Sequence, residues 1–221
     1  MPTMDAPTRH RIAASYDHWF QRHYVSGKLA TDPAYAAAAE LVAHRPLPLL
    51  DIGCGIGLLG QYLHARGVLA GYLGVDHDAR KIEAGLRALR HAGLEHTLTL
   101  RQADGLAPQP MHGHVALLDV LHYLPADQQR ALLHHAAAHL APGGRLIVRS
   151  VLRERSWRYA YTRMSEFFLH ASGWMRVGAQ HYPSAEELRS TLAGVGLSVH
   201  VRSLHGRTPF DSYLIVAERP C

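Results

Sequence analysis

Short apolar runs alternate with longer amphipathic segments along most of this chain of 221 residues. The apolar runs have the length of buried strands, and the longer segments carry apolar residues at helical spacing. The predicted strands span 47–52, 70–75, 96–102, 114–120, 145–151, 197–203 and 211–217. The predicted helices span 8–25, 33–44, 58–66, 78–92, 126–140 and 184–194. Such alternation is typical of a mostly parallel sheet with helices on both faces.

The last two predicted strands are close enough in sequence to pair antiparallel through a turn at 206–209. We therefore expect one α/β domain over 1–221, with a seven-stranded, mostly parallel sheet and an antiparallel C-terminal strand. Its expected parts are an N-terminal helical cap over 1–45, a ligand-binding core over 46–151, an inserted lid over 152–182, and a C-terminal helix with a strand pair over 183–221.

A glycine-rich turn follows the first predicted strand, within the sequence LLDIGCGIGLLG at 49–60. Its alternating glycines let the backbone adopt positive φ and pass close to a ligand. The helix that begins near Leu58 points its amide groups and the positive end of its dipole at the same place. The sequence therefore predicts a site for a small, polar, nucleotide-like ligand.

Two frames of glycines compete for this site. Taken as Gly53-x-Gly55-x-Gly57 with Asp51 two positions earlier, the turn resembles motif I of the class I S-adenosylmethionine (SAM) methyltransferases. Taken as Gly55-x-Gly57-x-x-Gly60, it fits the dinucleotide fingerprint, in which the glycines should follow the strand directly. The second frame leaves the start of the turn unexplained. We expect the methyltransferase frame, with an NAD(P)-dependent oxidoreductase as the alternative.

Further motifs in the order of this family extend the resemblance over 47–218. Asp76 ends the second predicted strand, where a carboxylate can accept hydrogen bonds from both hydroxyls of an adenosine ribose. The sequence ADG at 103–105 follows the third strand, and the family's acid there accepts from the adenine amino group. The sequence VALLDVLHYLP at 115–125 is similar to the fourth motif, which brings Asp119 to the methionine end of SAM.

The resemblance implies a Rossmann-like three-layer sandwich that uses SAM and releases S-adenosylhomocysteine (SAH). The N-terminal sequence SYDHWF at 15–20 resembles an element that covers bound SAM, although its aromatic residues also fit the apolar face of an amphipathic helix. The residues expected to bind SAM are Tyr16, Asp51, Gly53, Cys54, Gly55, Gly57, Asp76, His77, Ala103, Asp104, Gly105, Asp119 and Val120.

His122 is the expected general base. It follows the carboxyl end of the fourth predicted strand, where ligands of open α/β sheets collect. An ordinary imidazole pKa near ~6.5 suits a base at neutral pH, and a hydroxyl acceptor must lose its proton. Alternatively, His122 shapes the loop or lines the pocket without moving protons. The expected substrate-side residues are His122, Tyr123, Arg149, Trp157, His181 and Tyr182.

A basic and aromatic segment at 153–176 interrupts the alternation, and an insert at this place of the fold commonly forms a substrate lid. It would suit an aromatic or long apolar acceptor with a carboxylate, or one carried on an acidic carrier protein. A solvated arginine face and a membrane-docking surface are the alternatives. The tail at 206–220 loosely resembles methyltransferases of aryl-polyene pigment pathways. We therefore expect methylation of a hydroxyl or an activated aromatic carbon of a phenolic or polyketide-like compound.

Composition and charge narrow the class of protein. The formal net charge of +5 keeps an RNA methyltransferase open as an alternative, although the basic residues are scattered. Two cysteines and the lack of an apolar run of about 20 residues predict a cytoplasmic protein with no transmembrane segment. No acidic or cysteine partner completes a metal site among the 18 histidines, so we expect no metal. A SAM-binding protein without catalytic activity is a further alternative.

Overall fold

The computed structural model describes residues 4–153, 178–204 and 212–219. The strands within these ranges are β1 (Leu49–Ile52), β2 (Tyr72–Asp76), β3 (Thr99–Gln102), β4 (His114–Leu118), β5 (Arg145–Ser150), β6 (Ser198–Ser203) and β7 (Tyr213–Glu218). They form one seven-stranded sheet in the order β3-β2-β1-β4-β5-β7-β6. Strands β1 to β5 pair in parallel, and β7 runs antiparallel to both β5 and β6. The predicted sheet is confirmed.

Helices cover both faces of this sheet. Within the described ranges they are α1 (Ala6–Ala14), α2 (Trp19–Thr31), α3 (Ala34–Ala43), α4 (Leu58–Ala65), α5 (Ala79–His91), α6 (Ala126–Ala138) and α7 (Ala185–Ala193). One hydrophobic core lies between the sheet and α1 to α5, and a second lies between the sheet and the helices α6 and α7. Successive strand residues supply opposite cores, as Leu49 and Leu50 do in β1. The expected three-layer sandwich is confirmed.

The prediction of one helix over 8–25 is wrong, because the chain leaves the helical conformation between Ser15 and His18. At the end of α1, the Ile12 carbonyl accepts hydrogen bonds from the Ser15 hydroxyl at 2.8 Å and from the Ser15 backbone amide at 3.3 Å. The following residue, Tyr16, turns inward and is buried. The helix therefore ends here because burial of Tyr16 replaces helical hydrogen bonds. The spacing of apolar residues in the sequence does not predict this tertiary contact.

Some predictions fall outside the described residues. The structure does not describe residues 154–177 and 205–211. Trp157, nearly all of the predicted insert and the predicted turn at 206–209 therefore lie outside the described residues. The segment that follows the insert is described from 178 onward and passes over a short 3-10 helix (Leu121–Tyr123) after β4. Among the described residues, no helix is both long enough and apolar enough to cross a membrane.

Candidate active site

The glycine-rich turn connects β1 to α4 at the carboxyl edge of the sheet. Gly53, Gly55 and Gly57 have φ values of 78°, 59° and 74°. A Cβ atom at Gly53 would lie 2.3 Å from Cγ2 of Val120, whereas no described atom lies within 4 Å of a Cβ at Gly55. Both positions need glycine for the backbone conformation, and Gly53 also needs it for the close approach of the loop after β4.

Asp76, at the end of β2, holds this turn in place. Its two carboxylate oxygens accept hydrogen bonds from the backbone amides of Gly55 at 2.8 Å and Asp78 at 2.9 Å. Each oxygen has a second lone pair, so the buried carboxylate can still accept from the hydroxyls of a ribose. His77 lies beside it, with Nδ1 at 3.6 Å from the Asp76 carboxylate and a side chain 84% exposed.

Asp51 lies beneath the turn. Its carboxylate is buried and accepts a hydrogen bond from the Tyr72 hydroxyl at 2.6 Å. Burial raises the pKa of Asp51 to about 7, with the Tyr72 hydrogen bond acting in the opposite direction and the Asp76 carboxylate adding to the rise. At neutral pH this residue therefore exchanges between its charged and neutral forms.

Two adjoining cavities open at this edge of the sheet in the described part of the chain. The wide cavity, about 790 Å³, is lined by the predicted residues Gly53, Asp76, His77, Ala103, Asp104, Gly105, Asp119, Val120 and Tyr123. The narrow cavity, about 470 Å³, is lined by Asp51, Gly53, Cys54, Gly55, Asp76, Asp119, His122, Tyr123 and Arg149. Residues common to both linings mark the boundary between the two cavities. Of the predicted residues that the structure describes, Tyr16, Gly57, His181 and Tyr182 line neither cavity.

Asp104 contributes the second carboxylate of the wide cavity. Strands β2 and β3 pair with Asp76 opposite Gln102, and Asp104 lies two residues beyond. Asp104 accepts a hydrogen bond from the Leu106 amide at 2.9 Å, which fixes the turn after β3. The two acids thus follow neighbouring strands, as the sequence motifs predict.

A cluster of four charged side chains lies against the narrow cavity: Lys28 and Asp32 from the end of α2 and the segment after it, Asp119 after β4, and Arg149 on β5. We call it the ionic cluster. Arg149 donates through Nη1 to Asp119 and lies 3.2 Å from the Asp32 carboxylate. Burial alone would raise the pKa of Asp119, but Arg149 and Lys28 hold it below the ordinary value. Asp119 and Arg149 are thus paired with each other and also line the narrow cavity; their contacts to SAM and to substrate stay predictions.

His122 is buried and lines the narrow cavity. Its ring centroid lies 4.0 Å from that of Tyr123, and its ring is stacked on Tyr182 at 6.1 Å. Burial lowers the pKa of His122 to about 4, although the Asp119 carboxylate acts in the opposite direction. The ordinary pKa that we expected is therefore wrong for this residue, because burial removes the water that would stabilise an imidazolium. At neutral pH the ring is therefore uncharged and is a weak base.

Tyr16 lies behind the glycine turn. Its hydroxyl donates to the Ile56 carbonyl at 3.1 Å and accepts from the Gln61 side-chain amide at 2.8 Å. It therefore supports the turn from inside the protein, where we had expected contact with a ligand. The apolar-face alternative does not describe the segment either, because the neighbouring Trp19 is 71% exposed.

His181 and Tyr182 lie in the segment that packs on the 3-10 helix. The side-chain nitrogen of Gln129, which is buried on α6, lies 2.8–2.9 Å from the carbonyl oxygens of Leu121, Leu124 and His181. Its two N–H groups are shared among these three acceptors. The backbone amide of Gln180 donates to the His122 carbonyl at 2.8 Å. These bonds fix the loop that carries His122. Sequence reasoning missed Gln129, because a glutamine on an amphipathic helix is normally a surface residue.

The narrow cavity also contains residues of α2 and α3 that no motif indicated, notably Tyr24, Lys28 and Tyr35. They come from helices before the glycine turn, and their place in the site follows from packing. Among the described residues, no group of three His, Cys, Asp or Glu side chains is arranged to hold a metal ion.

This sheet order, with a glycine turn after β1 and acids after β2 and β3, defines a class I methyltransferase fold. A family model described as "Methyltransferase domain" matches residues 21–201. The chain belongs to this methyltransferase family. Enzymes of the same fold have been solved with SAM and with SAH bound. The match decides between the two frames of glycines in favour of the methyltransferase motif.

Similar proteins include ribosomal RNA small subunit methyltransferase C of Pseudomonas aeruginosa, 36% identical over 111 residues. That alignment covers 48% of this chain and 33% of the relative, so the chain spans about a third of its length. Magnesium protoporphyrin IX methyltransferase of Synechocystis PCC 6803, solved with bound SAH, has a TM-score of 0.67 at 20% identity and covers 97% of this chain and 95% of its own. An O-methyltransferase family 2 protein of Planctomyces limnophilus, solved with apigenin, has a TM-score of 0.67 at 21% identity, over 91% and 61% of the two chains. Likeness at this identity establishes the fold.

The residues at the cavities fit SAM. In the wide cavity, Asp76 and Asp104 offer carboxylate oxygens to ribose hydroxyls and an adenine amino group. At the boundary, Asp119 offers a carboxylate near which the positive charges of the methionine end can lie. The adenosine end of SAM therefore fits the wide cavity, and its methionine end fits the boundary with the narrow one.

Proposed function

We propose that this enzyme methylates a small aromatic acceptor, at a hydroxyl or an activated aromatic carbon, and that the acceptor binds in the narrow cavity. One observation carries the proposal: this cavity is lined by the aromatic side chains of Phe20, Tyr24, Tyr35 and Tyr123. Aromatic rings pack favourably against one another in offset or edge-to-face geometry. A phenolic or polyketide-like compound has the flat rings that such a lining accommodates.

Methyl transfer at the boundary between the two cavities requires above all that the acceptor atom and the methyl group of SAM are aligned. SAM supplies an electrophilic methyl group on a sulfonium, whose leaving group is neutral. The chain's contribution is to hold the acceptor atom in line and in near-contact at the boundary marked by Asp119 and Tyr123. His122 presents a neutral ring to the narrow cavity, beside Tyr123.

RNA methylation is the second candidate. The similarity to a ribosomal RNA methyltransferase and the net charge of +5 favour it. That similarity covers half of the chain, whereas enzymes of the same fold named for small molecules cover nearly all of it. An RNA substrate would make binding strongly dependent on salt concentration, because phosphate contacts release counterions.

The test is to incubate the protein with SAM and three classes of acceptor, and to measure SAH by liquid chromatography and mass spectrometry. The classes are small phenolic and polyketide-like compounds, the same compounds on a carrier protein, and ribosomal RNA. We expect SAH with an aromatic small molecule, free or carrier-bound. SAH released with RNA alone would contradict the proposal.

Two neighbouring residues on α2 provide a matched pair of variants. Phe20 lines the narrow cavity, whereas Trp19 does not, and both are exposed enough for substitution without loss of the fold. We expect Phe20→Ala to raise the KM for the acceptor about tenfold, equivalent to about 1.4 kcal/mol. Trp19→Ala should leave the KM within about twofold.

The remaining expectations concern the protein as a whole. The helical cap over 1–45, the core over 46–151, the lid over 152–182 and the C-terminal part over 183–221 stay predictions, as does a cytoplasmic location. Binding of the acceptor on a carrier protein is also a prediction, and the second class of acceptor tests it.

A further inference from the structure

Lys28 extends from α2 into the narrow cavity and is enclosed by both charged and aromatic groups. Its Nζ lies 3.4 Å from the Asp119 carboxylate, 3.8 Å from that of Asp32, and 5.6 Å from the centre of the Tyr24 ring. Burial would lower the pKa of Lys28, but Tyr24, Tyr35 and the two carboxylates hold it well above the ordinary value. The side chain is therefore an ammonium at neutral pH, inside a cavity with an aromatic lining.

The two cations of the ionic cluster, Arg149 and Lys28, differ in their hydrogen bonds. Arg149 directs Nη1 to Asp119 and Asp32 and donates through Nη2 to Ser212 at 3.0 Å, while its Nε is buried and has no acceptor among the described residues. Lys28 carries three N–H donors, and both of its carboxylate distances exceed the roughly 2.7–2.9 Å of a charge-assisted hydrogen bond. Lys28 therefore has donor capacity that a ligand in the cavity can use.

His122 is poorly suited to take a proton from a hydroxyl acceptor. A phenol has a pKa of about 10, whereas burial lowers the pKa of His122 to about 4. The imidazole would therefore hold the proton about a millionfold less strongly than the phenolate does. A cation within about 4–6 Å of a phenol lowers the pKa of that phenol by about 1–3. A nearby ammonium therefore favours ionisation of the acceptor more effectively than this imidazole.

We propose that Lys28 binds the reacting oxygen of the acceptor as an oxyanion and is a catalytic residue of this enzyme. This inference rests on the proposed function. The acceptor hydroxyl loses its proton to water, and the oxygen anion pairs with the ammonium. The oxygen then forms a bond to the methyl carbon while the bond from that carbon to sulfur breaks. The electron pair stays on the sulfur of SAH, and the charges balance.

The experiment uses 4-nitrophenol as the probe, because its anion absorbs visible light. The probe is titrated into the SAH-loaded protein across a range of pH, and the absorbance gives the ionised fraction of the bound probe. We expect the wild-type protein to lower the apparent pKa of the bound probe by at least about 1, a tenfold change in its ionisation constant. Lys28→Arg should retain most of this effect and Lys28→Met should lose it. Arg202→Met, at an exposed cation of β6 that lines neither cavity, should retain it.

Calorimetric titration with SAH and thermal unfolding accompany each variant. An unchanged SAH affinity, a folded protein and a lost ionisation effect in Lys28→Met support the inference. If Lys28→Met weakens SAH binding and leaves the probe ionised, Lys28 belongs to the binding site of the methyl donor and the inference is wrong. If wild-type protein binds SAH but does not bind the probe, or does not ionise it, the inference also fails while methyltransferase activity stands. Failure to bind SAH at all would overturn the proposed function itself.

Discussion

The wide and narrow cavities share a boundary but are constructed in different ways. In the wide cavity, the lining groups lie at or directly after the carboxyl ends of β1, β2 and β3, as Gly53, Asp76 and Asp104 do. In the narrow cavity, the charged groups come from segments far apart in the chain, and Lys28 and Asp119 are 91 residues apart. The wide cavity is thus determined by local turn geometry and the narrow cavity by long-range packing.

This difference has an energetic consequence. The wide cavity depends on backbone conformation and on single hydrogen bonds, each worth about 0.5–1.5 kcal/mol net. The ionic cluster of the narrow cavity depends on mutual compensation of partly buried charges, whose side chains are 9–28% exposed. Such compensation contributes little net stability but is costly to break. A substitution in the cluster should therefore affect the whole protein, whereas one in the wide cavity should affect mainly the ligand.

The largest effect is expected for Arg149→Met. It leaves the Asp32 and Asp119 carboxylates with Lys28 as the compensating cation of the cluster, at 3.8 and 3.4 Å. We expect the free energy of unfolding, measured with urea, to fall by about 3–5 kcal/mol. Arg153→Met is the control, because the exposed Arg153–Glu187 ion pair should contribute less than about 1 kcal/mol. Equal losses in the two variants would contradict the distinction between the buried cluster and the surface.

A smaller effect on the free energy of unfolding is expected from pH. Folding shifts the pKa values of two buried groups of the narrow cavity, Asp51 and His122, in opposite directions. The pKa of Asp51 rises from 3.8 to about 7 on folding, so its stabilising contribution is lost as pH rises through about 7. The pKa of His122 falls from 6.5 to about 4, so stability increases with pH between these values. Asp51→Asn should therefore remove a decline of up to about 1.4 kcal/mol per pH unit between about pH 4 and pH 7.

The measurement is the free energy of unfolding of wild type, Asp51→Asn and the exposed control Glu83→Gln over this pH range. The control should follow the wild type. A wild-type curve with the same slope as the Asp51→Asn curve between about pH 4 and pH 7 would show that Asp51 does not carry the expected proton.

The parts of the site that the sequence predicted are those with local causes. Gly53 and Gly55 need positive φ in one turn, and Asp76 and Asp104 follow strands that an apolar run reveals. The order of motifs then places both acids at one edge of a parallel sheet, since all its strands end there. The positions of the glycine turn and of these two acids do not depend on how the helices pack.

The parts that it did not predict have tertiary causes. Tyr16 occurs in a sequence that fits an amphipathic helix, yet it is inserted behind the glycine turn by its hydrogen bonds to Ile56 and Gln61. Lys28 belongs to no motif, and its role follows from the placement of α2 over the ends of β4 and β5. The low pKa of His122 is a consequence of burial, which its position in the sequence does not disclose.

The central claim is that the glycine turn and the acids of the wide cavity bind the methyl donor. Calorimetric titration of SAH and NADH into wild type, Asp76→Ala and the control Glu83→Ala tests it most directly. Two ribose hydrogen bonds to a carboxylate contribute roughly 1.5–3 kcal/mol each, so SAH affinity should fall at least about 100-fold in Asp76→Ala. Wild type and the control should bind SAH equally and should not bind NADH. Unchanged SAH affinity in Asp76→Ala, or binding of NADH by wild type, would contradict the account.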